Sequence, residues 1–510
     1  MSLPTDVSTR VDVSTATSPA APAGLHQVAP PHDRAQDPVE HRGRTWWPLI
    51  RPLVLRMHFY AGLLVAPFIL VASVTGLLYT LAPQVEQVAY HDLTHVTPAG
   101  PRVSYAEQVA AARQSHPGGD IVRVDVPQAG DRSTRVVFTD ETVPADYDMS
   151  VFVNPYTATV EGQVRSFGQW LGFRAWLDEL HRNLHLGALG RSYSELAASW
   201  LWVVALGGLM LWIGRQTRIR RDRGGGRLGF ARRLVTPDLA ARRRRLRVVS
   251  WHAVIGVWAL LGVLALSVSG LTWSRFAGDH IGEVRTALSW SEPTPSTSLA
   301  PGGVAAEHSH HGAHGGSATA TDPDAVFTDG AGVDGVVAAA REAGLGDPLY
   351  LVPPADASSA WTAAENKRSW PTRYDAISVD PAGGVVDRVD FADWPLMAKV
   401  TDWVIGAHMG ILFGIVNQVA LAMLAIGLIV VTLYGYRMWW LRRPRGASGL
   451  RFGRPAPRGG LRRLPWPALA ALVTLAAVVG WFVPMLGVSL IGFVLVDAAV
   501  GIVRRRRRAG

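Results

Sequence analysis

Four stretches with almost no charge constrain this chain most, because a helix of about 20 apolar residues crosses a hydrocarbon core about 30 Å thick. They run from Met57 to Leu81, Leu196 to Ile213, Val254 to Trp273 and Ile411 to Tyr436. A fifth apolar block, Leu464 to Val503, is nearly twice as long and is interrupted by Pro484. Proline inside a helix removes a hydrogen bond and clashes with the preceding turn. The block therefore reads as a tight helical hairpin, giving six spans in all.

Charge fixes the orientation, since Arg and Lys resist translocation. The segment from Arg215 to Arg247 carries thirteen Arg against Asp222 and Asp238, and Arg437 to Arg463 carries nine Arg and no acid. Both are expected on the cytoplasmic side. Ala82 to Gly190 has thirteen acids to eight Arg, and Arg275 to Ile405 has eighteen acids to eight bases, so both are expected outside. Arg504 to Arg508 then hold the carboxyl terminus inside, as an even number of spans requires. The net charge of +10 is thus explained by topology and by anionic lipid at the inner surface, not by nucleic acid. Residues 1–45, rich in Pro, Ala, Ser and Thr without an apolar core, read as a disordered cytoplasmic tail and not as a signal peptide.

The expected organisation is a membrane α-helical bundle of four core spans in two repeated halves, with two small α+β domains outside and a C-terminal hairpin. Its parts are the tail at 1–45, a first span at 46–82, an outward domain at 83–192 and a second span at 193–214. A basic loop at 215–248, a third span at 249–274, a second outward domain at 275–405 and a fourth span at 406–437 follow. The chain closes with a basic loop at 438–463, the hairpin at 464–503 and a basic tail at 504–510.

The repeat is visible in the sequence. Placing His58 on His252 aligns Gly62 with Gly256, Ser73 with Ser267, Val74 with Val268, Gly76 with Gly270 and Leu77 with Leu271. The second and fourth spans begin alike, with His185-Leu186-Gly187 and His408-Met409-Gly410. In the outward segments, helical patterns at Tyr105 to Gln114 and Gly332 to Ala343 precede alternating strands. Each segment has a strand running into Asn154-Pro155 or Asp380-Pro381 and then a turn, a hairpin signal because Pro presets φ and Asn or Gly tolerates the tight turn.

With no cysteine in the chain, disulfides, iron–sulfur clusters, thiolate zinc, covalent c-type haem and a lipidated Cys are excluded. Metal chemistry falls to histidine. Of sixteen His, five lie in or at the mouth of a span: His58, His181, His185, His252 and His408. His58 and His252 share the inner depth, and His185 and His408 share the outer depth. Facing residues of a four-helix bundle meet across its core, and paired imidazoles there are the usual ligation of a b-type haem. Gly62, Gly256, Gly187 and Gly410 would let a flat macrocycle approach, or would serve close helix packing. His181 lies one turn before His185; symmetry favours His185 as ligand, leaving His181 as propionate partner, substrate contact or alternative ligand. His308, His310, His311 and His314, in a Gly/Ala/Ser-rich stretch, form a loose metal site or a solvated linker.

Several of these residues carry a resemblance. Arg56-Met57-His58 with Gly62, the run Leu180 to Gly187 with both its histidines, Trp251-His252 with Gly256 and Ser269-Gly270, His408-Met409-Gly410 with Phe413-Gly414, and Arg437 to Trp440 with Arg442-Arg443 together resemble the PepSY-associated transmembrane family, over roughly residues 45–445. That family includes siderophore-iron reductases and iron-regulated membrane proteins of bacteria. The resemblance implies a multi-pass plasma-membrane protein with two PepSY-like outward domains. It also implies a haem-bearing bundle, with ligands at His58, His252, His408 and one or both of His181 and His185. The hairpin after Leu464 and the His-rich insert depart from the pattern.

The expected function is a dihaem relay, with two haem b per chain, carrying electrons outward to a ferric chelate as a transmembrane ferric (siderophore) reductase. No glycine-rich dinucleotide fingerprint follows a strand, so the donor is expected to be a separate flavoprotein, ferredoxin or quinol. Two alternatives belong to other classes: a non-enzymatic PepSY membrane protein that binds or regulates an extracellular protease or peptide, and a copper- or metal-handling membrane protein. The sequence identifies neither the chelate nor the oligomeric state.

Overall fold

A computed structural model of the chain describes residues 46–224, 226–300, 324–442, 458 and 463–509. The expected tail at 1–45, the His308 to His314 cluster and most of the second basic loop lie outside them. Fourteen α-helices and nine strands are present among the described residues. Helix α1 (Trp47–Thr80) is followed by α2 (Ala82–Ala89), α3 (His91–Thr94) and α4 (Tyr105–Ser115), then by strands β1 (Ile121–Val126), β2 (Thr134–Phe138), β3 (Asp148–Val153), β4 (Val160–Phe167) and β5 (Trp170–Leu171). Next come α5 (Gly172–Asn183), α6 (Gly187–Arg223), α7 (Arg227–Val235), α8 (Arg244–Leu271), α9 (Phe276–Ala287) and α10 (Gly332–Glu342). Strands β6 (Leu349–Val352), β7 (Trp361–Glu365), β8 (Ala376–Val379) and β9 (Val385–Val389) precede α11 (Leu396–His408), α12 (Gly414–Trp440), α13 (Trp466–Phe482) and α14 (Pro484–Ala509).

Five of these helices, α1, α6, α8, α12 and α14, are long and apolar enough to cross a membrane. The sixth expected span is shorter. The break at Val483-Pro484 divides the last apolar block unequally, so α13 has 17 residues and reaches only about 25 Å at about 1.5 Å per residue. Helices α13 and α14 do form the expected hairpin, and they touch where Gly480 meets Gly487: a Cβ on Gly487 would lie 2.6 Å from the Gly480 carbonyl oxygen.

The four other long helices form a bundle in which α1 and α8 each pack against both α6 and α12. Helices α1 and α8 are therefore diagonal partners, and side chains on their inner faces meet across the core. The hairpin docks on one side of this bundle. Leu486 is buried among Ala61, Val65 and Phe68 of α1 and Ala197 and Trp200 of α6. The Trp200 indole donates to Ser489 Oγ at 2.8 Å, and the buried Arg56 guanidinium pairs with Asp497 at 3.2 Å. These polar contacts give the buried groups partners they would otherwise lack inside an apolar layer.

The strands of the two segments form a single antiparallel sheet, in the order β5-β4-β3-β2-β1-β6-β7-β8-β9. This differs from the two separate domains read from the sequence. The join is the pairing of β1 with β6, with Asp125 opposite Tyr350, and its physical reason is that each strand set would otherwise expose a row of unpaired backbone groups at β1 or β6. One face of the sheet buries Val124, Val136, Phe138, Leu349, Leu351 and Ile377 against α4 and α10. The two helices are tied end to side: Asp334 of α10 accepts from the backbone N–H groups of Tyr105 and Ala106, at 2.7 and 2.9 Å, at the start of α4.

Candidate cofactor site at the two ends of the bundle

At the end of the bundle away from the sheet, α1 and α8 bring His58 and His252 together. Their ring centres are 6.2 Å apart and the rings are nearly perpendicular, at 81°. Two imidazoles on opposite faces of one metal ion, each bonded at about 2.0 Å and with about 1.1 Å from nitrogen to ring centre, would put those centres about 6 Å apart. The observed spacing would admit one metal ion between the two rings. Each ring is also held. His58 Nδ1 donates to the Val204 carbonyl of α6 at 2.8 Å, and His252 Nδ1 to the Val431 carbonyl of α12 at 2.9 Å.

Near the sheet, His181 closes α5 and His408 ends α11, the short helices that lead into α6 and α12. His181 Nδ1 bonds Thr75 Oγ1 of α1 at 2.9 Å, and His408 Nδ1 bonds Ser269 Oγ of α8 at 2.6 Å. Among the described residues no hydrogen bond engages Nε2 of any of the four rings. An imidazole whose Nδ1 proton is committed to an acceptor carries its lone pair on Nε2, the form that ligates a metal.

His408 is matched in its hydroxyl partner by His181 and not by His185, the residue expected to pair with it. His185 sits in the link between α5 and α6, with φ 53°. Its Nδ1 lies 3.1 Å from the Glu179 carboxylate and its ring leans on Trp176 at 5.2 Å. Leu184 and Gly187, with φ of 58° and 56°, turn the chain there, so the one-turn helical spacing between His181 and His185 assumed from the sequence does not hold. The turn is what sends the two histidines in different directions.

The glycines nearest the rings are not the four expected. Gly208, Gly435, Gly76 and Gly270 each lie at a ring edge: an added Cβ would stand 2.9, 3.7, 3.8 and 3.9 Å from Cε1 of His58, His252, His181 and His408 respectively. Gly62 and Gly256, one turn beyond His58 and His252, border looser space. A Cβ on Gly256 would meet nothing within 4 Å, and one on Gly62 only Val204 at 3.8 Å. Gly187 and Gly410 face no histidine; both have positive φ and serve the chain reversals.

The PepSY-associated TM region family matches residues 55–442 of this chain. The chain belongs to that family. All four histidines just described fall inside the matched range, as do their acceptors, whereas the α13–α14 hairpin falls outside it. A search of curated proteins finds no match.

Within the family range, the two halves of this PepSY-associated protein are related by two constant offsets. The one that puts His58 on His252 also puts Thr75 on Ser269 and Gly76 on Gly270. A second puts His181 on His408, Val204 on Val431, Gly208 on Gly435, Gly187 on Gly414 and Trp212 on Trp439. Placing His185 on His408 instead misses this register by four residues. Thr75, Ser269, Val204, Val431, Gly208 and Gly435 are the site residues that reading the histidines alone overlooks. The signal for the hydroxyls was available, since Thr75 and Ser269 precede the matched Gly76 and Gly270.

One turn beyond Thr75 the site acquires a polar rim. Arg174 of α5 pairs with Glu86 of α2 at 2.8 Å and lies over Trp170 and Tyr79, 4.6 and 5.6 Å from their ring centres. Burial holds the Glu86 carboxyl above its ordinary value despite that guanidinium. Among the described residues the Tyr79 hydroxyl and Arg174 Nε are buried without a hydrogen-bond partner. Above them the polar face of the sheet carries Arg123, Asp125 and Arg135; burial pushes the Arg135 guanidinium down to about 10, with Asp125 opposing. In the second half Trp273 takes the place of Tyr79 and packs 5.5 Å from His408.

Proposed function

We propose that this member of the family is a dihaem electron carrier that moves single electrons across the plasma membrane, from a cytoplasmic donor to a ferric chelate outside. The observation that carries the reading is the set of four histidines with Nδ1 tied and Nε2 free. They form two pairs, one at each end of a four-helix bundle. His58 and His252 would hold one b-type haem, His181 and His408 the other, and a bound haem would supply a one-electron ferric/ferrous couple that six-coordination shields from other ligands. Thr75 lies seventeen residues along α1 from His58, which separates the sites by about 25 Å and spans most of a hydrocarbon core about 30 Å thick.

The remaining residues support the same reading. The unpartnered Tyr79 hydroxyl and Arg174 Nε are donors that suit a propionate carboxylate at the outer site. At the inner end a cavity of about 290 Å³ is lined by Arg244, Arg247 and Arg437 with Trp251 and Tyr434, a cationic surface that attracts an acidic donor by long-range attraction. Reduction outside would release iron, because the hard oxygen donors of a siderophore hold Fe(II) less well than Fe(III). The basic loops inside and the acidic segments outside give this polarity.

The test is electron transfer through vesicles. Protein reconstituted in liposomes with trapped dithionite should reduce external ferric citrate, read as the coloured ferrous ferrozine complex. His58→Ala with His252→Ala should abolish the protein-dependent rate. A rate equal to that of protein-free vesicles would contradict the proposal.

A further inference from the structure

We infer that the two sites are graded in potential by the acceptors their histidines use, with the site near the sheet the more oxidising; this rests on the haem reading above. His58 and His252 donate to amide carbonyls, of Val204 and Val431. His408 bonds instead to the hydroxyl oxygen of Ser269, and His181 to that of Thr75 with the Ala72 carbonyl also within its reach. Each hydroxyl proton is already committed to its own helix: Thr75 Oγ1 donates to the Val71 carbonyl at 2.9 Å and Ser269 Oγ to the Ala265 carbonyl at 2.8 Å. With their protons so placed, the hydroxyl oxygens accept from the imidazoles.

An amide carbonyl oxygen carries more negative charge than an alcohol oxygen. It draws the Nδ1 proton further from its ring and makes Nε2 the stronger electron donor, which favours ferric iron. The hydroxyls draw less, leave weaker donors and favour ferrous iron. Haems held there would pass one electron from the carbonyl-held end to the hydroxyl-held end, and the histidines would keep their Nδ1 protons throughout. Outward transfer runs downhill through hydrogen-bond chemistry that the repeat does not duplicate: the two ends of each half differ in acceptor, and the two halves agree.

Potentiometric titration of the purified chain tests this, following the α-band of the reduced haems. Two one-electron components should differ at least tenfold in equilibrium constant, about 59 mV. The component removed by His252→Gln marks the carbonyl-held site and should be the lower. Ser269→Ala, which withdraws an acceptor, should raise the upper component and leave the lower in place; Thr75→Val is the second variant with the same expectation. Coincident potentials, the reverse order, or a shift confined to the lower component would overturn the grading while leaving the haem reading intact. A protein that binds no haem would instead defeat the reading on which the grading rests.

Discussion

Replacing His181 with Ala should lower the haem content of the purified chain from the expected two per chain to about one, whereas His185→Ala should leave it at about two. Both side chains lie at the same end of α5 and both belong to the motif that the sequence singles out. Their surroundings separate them. The His181 ring is anchored to Thr75 in the manner of His408 on Ser269, so losing it removes one of two axial nitrogens from a site whose partner is in place. His185 occupies a turn, has its Nδ1 beside Glu179 and retains roughly a third of its side-chain exposure. Pyridine haemochrome assay against protein concentration reads the difference directly. Loss from His185→Ala with none from His181→Ala would reverse the assignment.

Gly208→Val should remove haem from the other end. A Cβ at Gly208 would lie 2.9 Å from His58 Cε1, closer than such contacts tolerate, and the valine methyls extend further into the ring. Either His58 rotates away from His252 or α6 moves away from α1. Overpacking of this kind costs about 1–3 kcal/mol, and ring rotation also breaks the bond to Val204. Gly207 is the control: a Cβ there would make ordinary contacts with Val54 and the His58 Cβ, at 3.6 and 3.8 Å, so Gly207→Ala should keep both haems. The reduced-minus-oxidised difference spectrum should lose about half its amplitude in Gly208→Val, consistent with one of two six-coordinate centres. A full-amplitude spectrum from Gly208→Val would show that His58 is not a ligand.

Much of this was legible in the sequence because lipid imposes a simple rule: long uncharged runs become helices. The His58 and His252 match was equally plain, since their helices align without gaps from these histidines to Gly76 and Gly270. Reading the sequence pairs His408 with His185, four residues past His181, whose hydroxyl partner is the one that matches. His185-Leu186-Gly187 resembles His408-Met409-Gly410, but the chain conformation at those residues differs: His408 ends a helix, while His185, like Leu184 before it, has a left-handed backbone. The register is set by Trp176 with Trp403 and by Gly187 with Gly414, matches that a comparison of the two tripeptides alone does not show. The strand patterns at Ile121 to Val126 and Ala376 to Asp380 pointed to β1 and β8, but the β1–β6 join had no local signal, because its partners are more than two hundred residues apart in the chain. The acceptors escaped for a related reason. A carbonyl such as that of Val204 exists at every residue, and only the fold decides which one faces a histidine.

The central claim is that four histidines in two pairs hold two haems. Its most direct test is the haem b content and the visible spectrum of the full chain, purified in detergent and read oxidised and then dithionite-reduced. About two haems per chain, with the bands of six-coordinate low-spin iron in both states, is the expected result. A chain free of haem, or one whose content is unchanged when His58 and His408 are both replaced by Ala, would contradict it.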